Sequence, residues 1–275
     1  MTSENDKVRV SVVVPCYNEE NGVGGVVADL KASLAGAGLK EAEDFEVIVV
    51  DDGSDDASAA AAESAGARVL RHPCNRGYGR SLFTGFAAAK FPWVLMIDGD
   101  GSYPPEDAAR LLPYAPRFDM VVGARQGTLF WGNPLRAFLR WIYLFLAGFV
   151  AGEIIPDANS GLRLIRKEAF DSSMPILCYG YSLSTTMTLS FIQGGRFVKF
   201  VPIGYRVRTG RSKVRSLRDI PRTLQIMVQI MLYYNPLKFA VFLALPALVL
   251  INLPAAFAVF FWGCLLESIR LHRKR

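Results

Sequence analysis

The chain has 275 residues, 51% of them hydrophobic, and a formal charge of +6. That length suffices for one large domain or two small ones with a buried core. Two histidines and four scattered cysteines without paired spacing argue against a histidine-centred metal site, a histidine-based catalytic triad, a zinc site and a disulfide framework.

The amino terminus, "MTSENDKVRV", is polar and lacks the basic start and apolar centre of a signal peptide, so the soluble part is expected to stay in the cytoplasm. "VRVSVVVPCYNEE" then predicts a buried strand ending at Pro15, and residues 22–37 carry helical spacing. "FEVIVVDDGSDD" is a second buried strand running into acid, "ARVLRH" a short third, "GRSLFTGFAAAK" a helix and "WVLMIDGD" a fourth strand. "PPEDAARLLPYA" predicts a helix with proline at its start, and "FDMVVGAR" a fifth strand. Strands alternating with helices predict an α/β fold, a mostly parallel sheet with helices on both faces. The apolar strands end in "PCYNEE", "DDGSDD", "DGDGS" and "GARQG", so polar groups gather where the carboxyl ends of the strands lie and where open α/β sheets bind ligands. No G-x-G-x-x-G follows the first strand, which excludes a nicotinamide-type dinucleotide site.

Residues 128–152 mix aromatics with Arg136 and Arg140, which lie four apart and share a helical face; this stretch is expected to lie at a bilayer interface. After "IPDANSGLRLIRKEAF" come a helix over 183–193 and the strand-like "RFVKFVPIGYRV". Basic clusters at 206–218 and 270–275 beside an apolar segment point to anionic headgroups; no nucleic-acid-binding motif accompanies them, and nucleic acid is not an expected partner. Phe239 to Leu266 contains no charged residue and reads as membrane-embedded. As one straight helix it would reach about 42 Å, longer than a hydrocarbon core of about 30 Å, whereas two full crossings would leave roughly 21 Å each. Basic residues at both flanks, with Pro246, Asn252 and Pro254 between, favour a kinked or hairpin-like segment with both ends cytoplasmic. The expected layout is a catalytic domain over 1–215, a juxtamembrane amphipathic helix over 216–237, a membrane segment over 238–267 and a basic cytoplasmic tail over 268–275.

The chemistry centres on "DGDGS". Asp98 and Asp100 flank Gly99 at the end of a buried strand, where unpaired carboxylates are costly unless a ligand meets them. Mg²⁺ or Mn²⁺ takes such oxygen ligands together with substrate phosphates, and the glycine permits close approach.

The ordered set "VVVPCYNEE", "VIVVDDGSDD", "NRGYG", "DGDGSYPPE", "GAR", "DANSGLRLIRKEAF", "GRSK" and "YYNPL" resembles the inverting family 2 glycosyltransferases of GT-A fold. Within them it is most similar to the branch that moves sugar from a nucleotide onto a polyprenyl phosphate, such as dolichyl-phosphate mannose synthases and bactoprenol glucosyltransferases. The resemblance implies that Pro15, Tyr17, Glu19, Asp51 and Asp52 line the nucleotide pocket, and that Asp98, Gly99 and Asp100 meet the metal and diphosphate. It further implies that Arg125, with Arg136 or Arg140, holds the acceptor phosphate, and that Arg211 and Lys213 lie on a loop beside it. Asp157 stands at the family's proposed base, with capping or arginine pairing as the alternative. For Asp55 and Asp56 the expectation is solvated turn chemistry. Ser102 stands where many relatives have a glutamine as a further metal ligand; it is a candidate ligand through water, which leaves metal choice and affinity in question. The cofactor implied is Mg²⁺ or Mn²⁺. The partners implied are a nucleotide-sugar (UDP-glucose, then GDP-mannose), a polyprenyl phosphate, a bacterial inner membrane and, optionally, further copies of the chain. A processive polysaccharide synthase fits less well, since "AFLRW" has Ala137 where Q-x-x-R-W needs glutamine. An inactive nucleotide-sugar binder would be expected to have lost the aspartate pair.

Overall fold

The computed structural model describes residues 8–173, 183–207, 216–250 and 253–273, with the side chains at 216–220, 245–250, 253 and 272–273 left aside. A seven-stranded sheet forms the centre: β1 (Val10–Cys16), β2 (Phe45–Asp51), β3 (Arg68–Arg71), β4 (Trp93–Met96), β5 (Met120–Arg125), β6 (Arg163–Arg166) and β7 (Val198–Ile203). Their order across the sheet is β3-β2-β1-β4-β6-β5-β7. Every described pairing is parallel except those of β6, which runs against β4 and β5.

The central strands read as continuous apolar runs because both faces are covered. Along β1, Val12 and Val14 join Val23, Leu30 and Leu34 of α1 (Val23–Gly36) on one face. Val13, pointing the other way, joins Leu82 and Phe86 of α3 (Tyr78–Ala88), Phe170 of α7 (Lys167–Ser173) and Met187 of α8 (Leu183–Gln193). Between these, α2 (Ser58–Ser64) packs against α1.

Several expectations are corrected locally. The helix expected over "PPEDAARLLPYA" is a single turn, α4 (Glu106–Ala109), followed by a 3-10 stretch Leu112–Arg117. Pro113 and Pro116 lack the N–H that an α-helical ladder requires there. The fourth strand ends at Met96, short of the aspartates. Residues 128–152 form two helices, α5 (Thr128–Trp131) and α6 (Pro134–Ala151). They are parted by Gly132 at φ 70° and by Asn133, whose side chain accepts the Arg136 N–H as an N-cap. "GLRLIR" supplies a strand that periodicity did not reveal, β6.

A third cluster joins α6 to α8 and to α9 (Ser216–Tyr234) through Ala147, Val150, Leu189, Ile226, Ile230 and Met231. The uncharged segment divides into α10 (Pro236–Leu250) and α11 (Leu253–Arg273). At the junction with α9 the axis bends by 115°. Asn235 accepts the Lys238 N–H at 3.1 Å, and Pro236 opens the new helix. Gly263 of α11 lies against Ala240 of α10, two positions equally distant from the break at 251–252. The pair is therefore antiparallel, a hairpin in outline. By length and composition Pro134–Ala151 and Pro254–Leu271 could each cross a membrane, and a third crossing arises if the bent α9–α10 pair counts as one span.

Candidate active site

The carboxyl ends of β1, β2, β4 and β5 open on one edge of the sheet. Because β6 is antiparallel, the loop before it, "DANSG", enters from that same edge. The topology thus gathers five sequence motifs around one cleft.

Pro15 lies within β1, and Tyr17 and Glu19 follow it, all partly buried. The Glu19 carbonyl accepts from Gly22 and Val23 N–H and helps to start α1. Asp51 and Asp52 are buried rather than solvated, at 5% and 3% exposure. Asp51 accepts from the Ser54 N–H at 3.1 Å and from the Ser54 hydroxyl, closing the "DDGS" turn. Asp52 accepts the N–H groups of Arg76 at 3.0 Å and Gly77 at 2.7 Å, and Nδ1 of His72 lies 2.7 Å away. Its carboxylate organises the "NRGYG" loop. Asp55 is exposed, as expected of a turn residue, with its N–H donated to Asn18. The Asp56 carboxyl sits below the usual range: partial burial would raise it, but hydrogen bonds from the Ser58 hydroxyl and from nearby N–H groups outweigh that.

Asp98 and Asp100 follow β4 beside Pro15. Asp100 is buried and accepts the Ser102 N–H at 3.0 Å. Ser102 is itself buried, and its carbonyl accepts the Arg206 N–H at 2.9 Å. Asp98 is partly exposed; Oδ1 accepts from the Tyr78 hydroxyl at 3.0 Å. Among the described residues no group of three or more His, Cys, Asp or Glu side chains comes together. Two carboxylates, Asp98 and Asp100, stand at this end of the sheet, and a hard divalent cation commonly binds through one or two carboxylates with phosphate and water completing its shell.

Arg125 ends β5 and is clasped by Asp157. Nε donates to Oδ2 at 2.7 Å and Nη2 to Oδ1 at 3.0 Å, while the Arg125 N–H reaches Oδ2 at 3.2 Å. Asn159 N–H adds a bond to Oδ1 at 3.1 Å. Burial alone would lower the Arg125 guanidinium, but Tyr103, Asp157 and Tyr205 around it push its pKa well up, so it is permanently charged. Its guanidinium lies over Phe130, with that of Arg140 over the same ring, at 5.1 and 4.2 Å from the centroid. Nη1 of Arg140 is buried with no hydrogen-bond partner among the described residues. Arg136 is exposed one turn earlier on α6. Arg211 and Lys213 lie outside the described residues.

Residues without an assigned role in the motif reading complete the site. Arg163 is fully buried and donates to the carbonyls of Ser160 (2.8 Å) and Ala158 (2.9 Å) and to the Thr188 hydroxyl (2.8 Å). It shapes "DANSG" through carbonyls instead of pairing with an acid. Tyr103 accepts the Gly161 N–H at 2.6 Å. The "DGDGSYPPE" and "NRGYG" motifs contain Tyr103 and Tyr78, but neither tyrosine carried a chemical expectation.

Comparison with known proteins agrees with this construction. The family model for glycosyl transferase family 2 matches residues 11–173. An uncharacterized protein of Methanocaldococcus jannaschii is 30% identical over 213 residues, covering 73% of this chain and 83% of the relative. A dolichyl-phosphate hexose transferase of Haloferax volcanii is 31% identical over 208 residues, covering 74% and 86% respectively. An undecaprenyl-phosphate 4-deoxy-4-formamido-L-arabinose transferase of Enterobacter sp. (strain 638) is 31% identical over 176 residues, 60% of this chain, which spans only 51% of that longer relative. In fold the chain is similar to glucosyl-3-phosphoglycerate synthase of Mycobacterium tuberculosis, solved with Mn²⁺ and UDP-glucose, at TM-score 0.61 and 23% identity, covering 82% and 81% of the two chains. The expected GT-A architecture is met, and the chain belongs to glycosyl transferase family 2.

Proposed function

We propose that the protein transfers a sugar, with inversion, from a nucleotide-sugar to a polyprenyl phosphate at a membrane surface. UDP-glucose is the first candidate donor and GDP-mannose the second. The observation that carries this reading is the two-sided character of α6. One side presents Arg140, whose buried Nη1 lacks a partner among the described residues and lies near Arg125. The other exposes Leu135, Phe138, Trp141 and Phe145. An acceptor with an anionic head and an apolar tail satisfies both, since guanidinium groups suit phosphate and the aromatics suit the bilayer interface. The names of the Haloferax and Enterobacter relatives point the same way.

In this reading an oxygen of the acceptor phosphate bonds to the anomeric carbon while the opposite C–O bond to the diphosphate breaks, and the electron pair leaves with the nucleoside diphosphate. Asp98 and Asp100 would hold Mg²⁺ or Mn²⁺, which supplies positive charge to the departing diphosphate. A phosphate monoester is largely dianionic near neutral pH, with a second pKa near 6, so no proton need be removed from it. Both oxygens of Asp157 are engaged, and it serves to hold Arg125 against the acceptor. Arg136 adds charge on the same helix, and the family resemblance assigns Arg211 and Lys213, outside the described residues, to the acceptor phosphate as well. Pro15, Tyr17, Glu19 and the loop organised by Asp51 and Asp52 enclose the nucleotide. The catalytic domain, 1–215, then faces the cytoplasm of a bacterial cell, held at the inner membrane by α9, α10 and α11.

The test is a panel of radiolabelled nucleotide-sugars with undecaprenyl phosphate and Mg²⁺ or Mn²⁺. Label passing into the organic phase supports the reading. Transfer only to a water-soluble phosphate acceptor would refute the lipid assignment.

A further inference from the structure

The partly exposed aspartate of the acidic pair is held from two sides. Asp52 fixes the backbone at Arg76 and Gly77, and its partner His72 meets the Thr84 hydroxyl of α3 through Nε2 at 2.9 Å. A carboxylate on Nδ1 selects the tautomer with the proton there, so Nε2 accepts from Thr84. Gly77, at φ 97°, turns the chain into α3, whose first residue is Tyr78. The Tyr78 ring is half-buried while its hydroxyl, enclosed by protein, donates to Asp98 Oδ1 at 3.0 Å. On the far side, Asp98 Oδ2 rests on Gly161, where even a methyl group would overlap the carboxylate. Gly161 is itself tied to Tyr103 at 2.6 Å.

We infer that Tyr78 is a positioning residue for the divalent cation: its hydroxyl sets the angle at which Asp98 meets the metal. The path from Asp52 to Tyr78 thereby links the nucleotide loop to cation binding. This rests on the reading of Asp98 and Asp100 as cation ligands. Groups that orient a ligating carboxylate from behind commonly govern affinity by 10- to 100-fold.

The experiment measures Mn²⁺ binding by electron paramagnetic resonance on the full-length protein in detergent, with UDP present. Tyr78→Phe keeps the ring and removes the hydroxyl; we expect about tenfold weaker Mn²⁺ binding, with metal-free UDP binding and the melting temperature unchanged. Gly161→Ala, pressing on Asp98 from the other side, should weaken Mn²⁺ binding as well, and serves if Tyr78→Phe does not fold. Wild-type Mn²⁺ affinity in either folded variant, or an equal loss of UDP binding without metal, would overturn the inference. Asp98→Asn separates the two levels. If it too leaves Mn²⁺ binding intact, the cation reading of the aspartate pair is what fails; if it alone abolishes binding, only the role of Tyr78 does.

Discussion

Arg125 and Asp157 form a two-point ion pair almost removed from water, with side-chain exposures of 13% and 2%. The arginine comes from the end of a parallel strand and the aspartate from the loop before the antiparallel one, so the pair exists only when both strands are in register. Its charge is compensated on one side and open to Phe130, Tyr205 and Arg140 on the other.

Breaking this pair should therefore be costly twice. Asp157→Ala leaves a buried guanidinium without its counter-charge, and the expected loss of stability is about 3 kcal/mol. The apparent affinity for lipid phosphate should fall with it. A Asp157→Ala protein that keeps wild-type stability and acceptor KM would show that the pair is incidental.

Arg140 offers a cleaner probe because its Nη1 has no hydrogen-bond partner among the described residues. Arg140→Ala should cost the acceptor a charge-assisted hydrogen bond, about 2 kcal/mol or near thirtyfold in acceptor KM, with little change in donor KM. Steady-state kinetics varying each substrate in turn would check this. A rise in donor KM alone would move Arg140 to the other pocket.

Asp100→Asn should fold and bind poorly to the metal–nucleotide pair, with transfer nearly abolished even at saturating Mg²⁺ or Mn²⁺. Wild-type protein treated with a chelator should lose transfer likewise and regain it on adding either ion. Full activity in the chelated protein contradicts the assignment.

Arg163 is expected to matter for folding more than for chemistry. Arg163→Met removes the buried donor of the Ser160 carbonyl and one of two donors to the Ala158 carbonyl, and a destabilisation of about 2–3 kcal/mol is expected. Chemical denaturation would read it directly. An unchanged midpoint would mean that water replaces the guanidinium there.

The hairpin of α10 and α11 predicts that the chain returns to the side from which it entered. A cysteine placed after Arg275 in a cysteine-free variant should not react with an impermeant thiol reagent on intact spheroplasts. Labelling from outside would establish a single crossing.

Much of this architecture is legible without coordinates. A strand covered on both faces needs nearly every residue apolar, so "VSVVV", "VIVV" and "WVLM" announce themselves, and the acids that end such runs mark the ligand edge. The long uncharged tail is equally plain, since a run that can be stabilised in lipid must lack charge along its whole length. What the tertiary structure alone decided is how distant segments meet. Four-residue β6 has no periodicity to read, yet its reversed direction carries "DANSG" to the ligand edge. Asp157 stands in the sequence as the family's proposed base, with capping or arginine pairing as the alternative; that Arg125 is the arginine it meets is seen only in a contact 32 residues away. Tyr78 reads as part of a turn until the fold sets its hydroxyl on Asp98, 20 residues on. Burial leaves a local signature because each residue leaves water where it stands, whereas a hydrogen bond between remote side chains depends on strand order and direction, which no local stretch of sequence encodes.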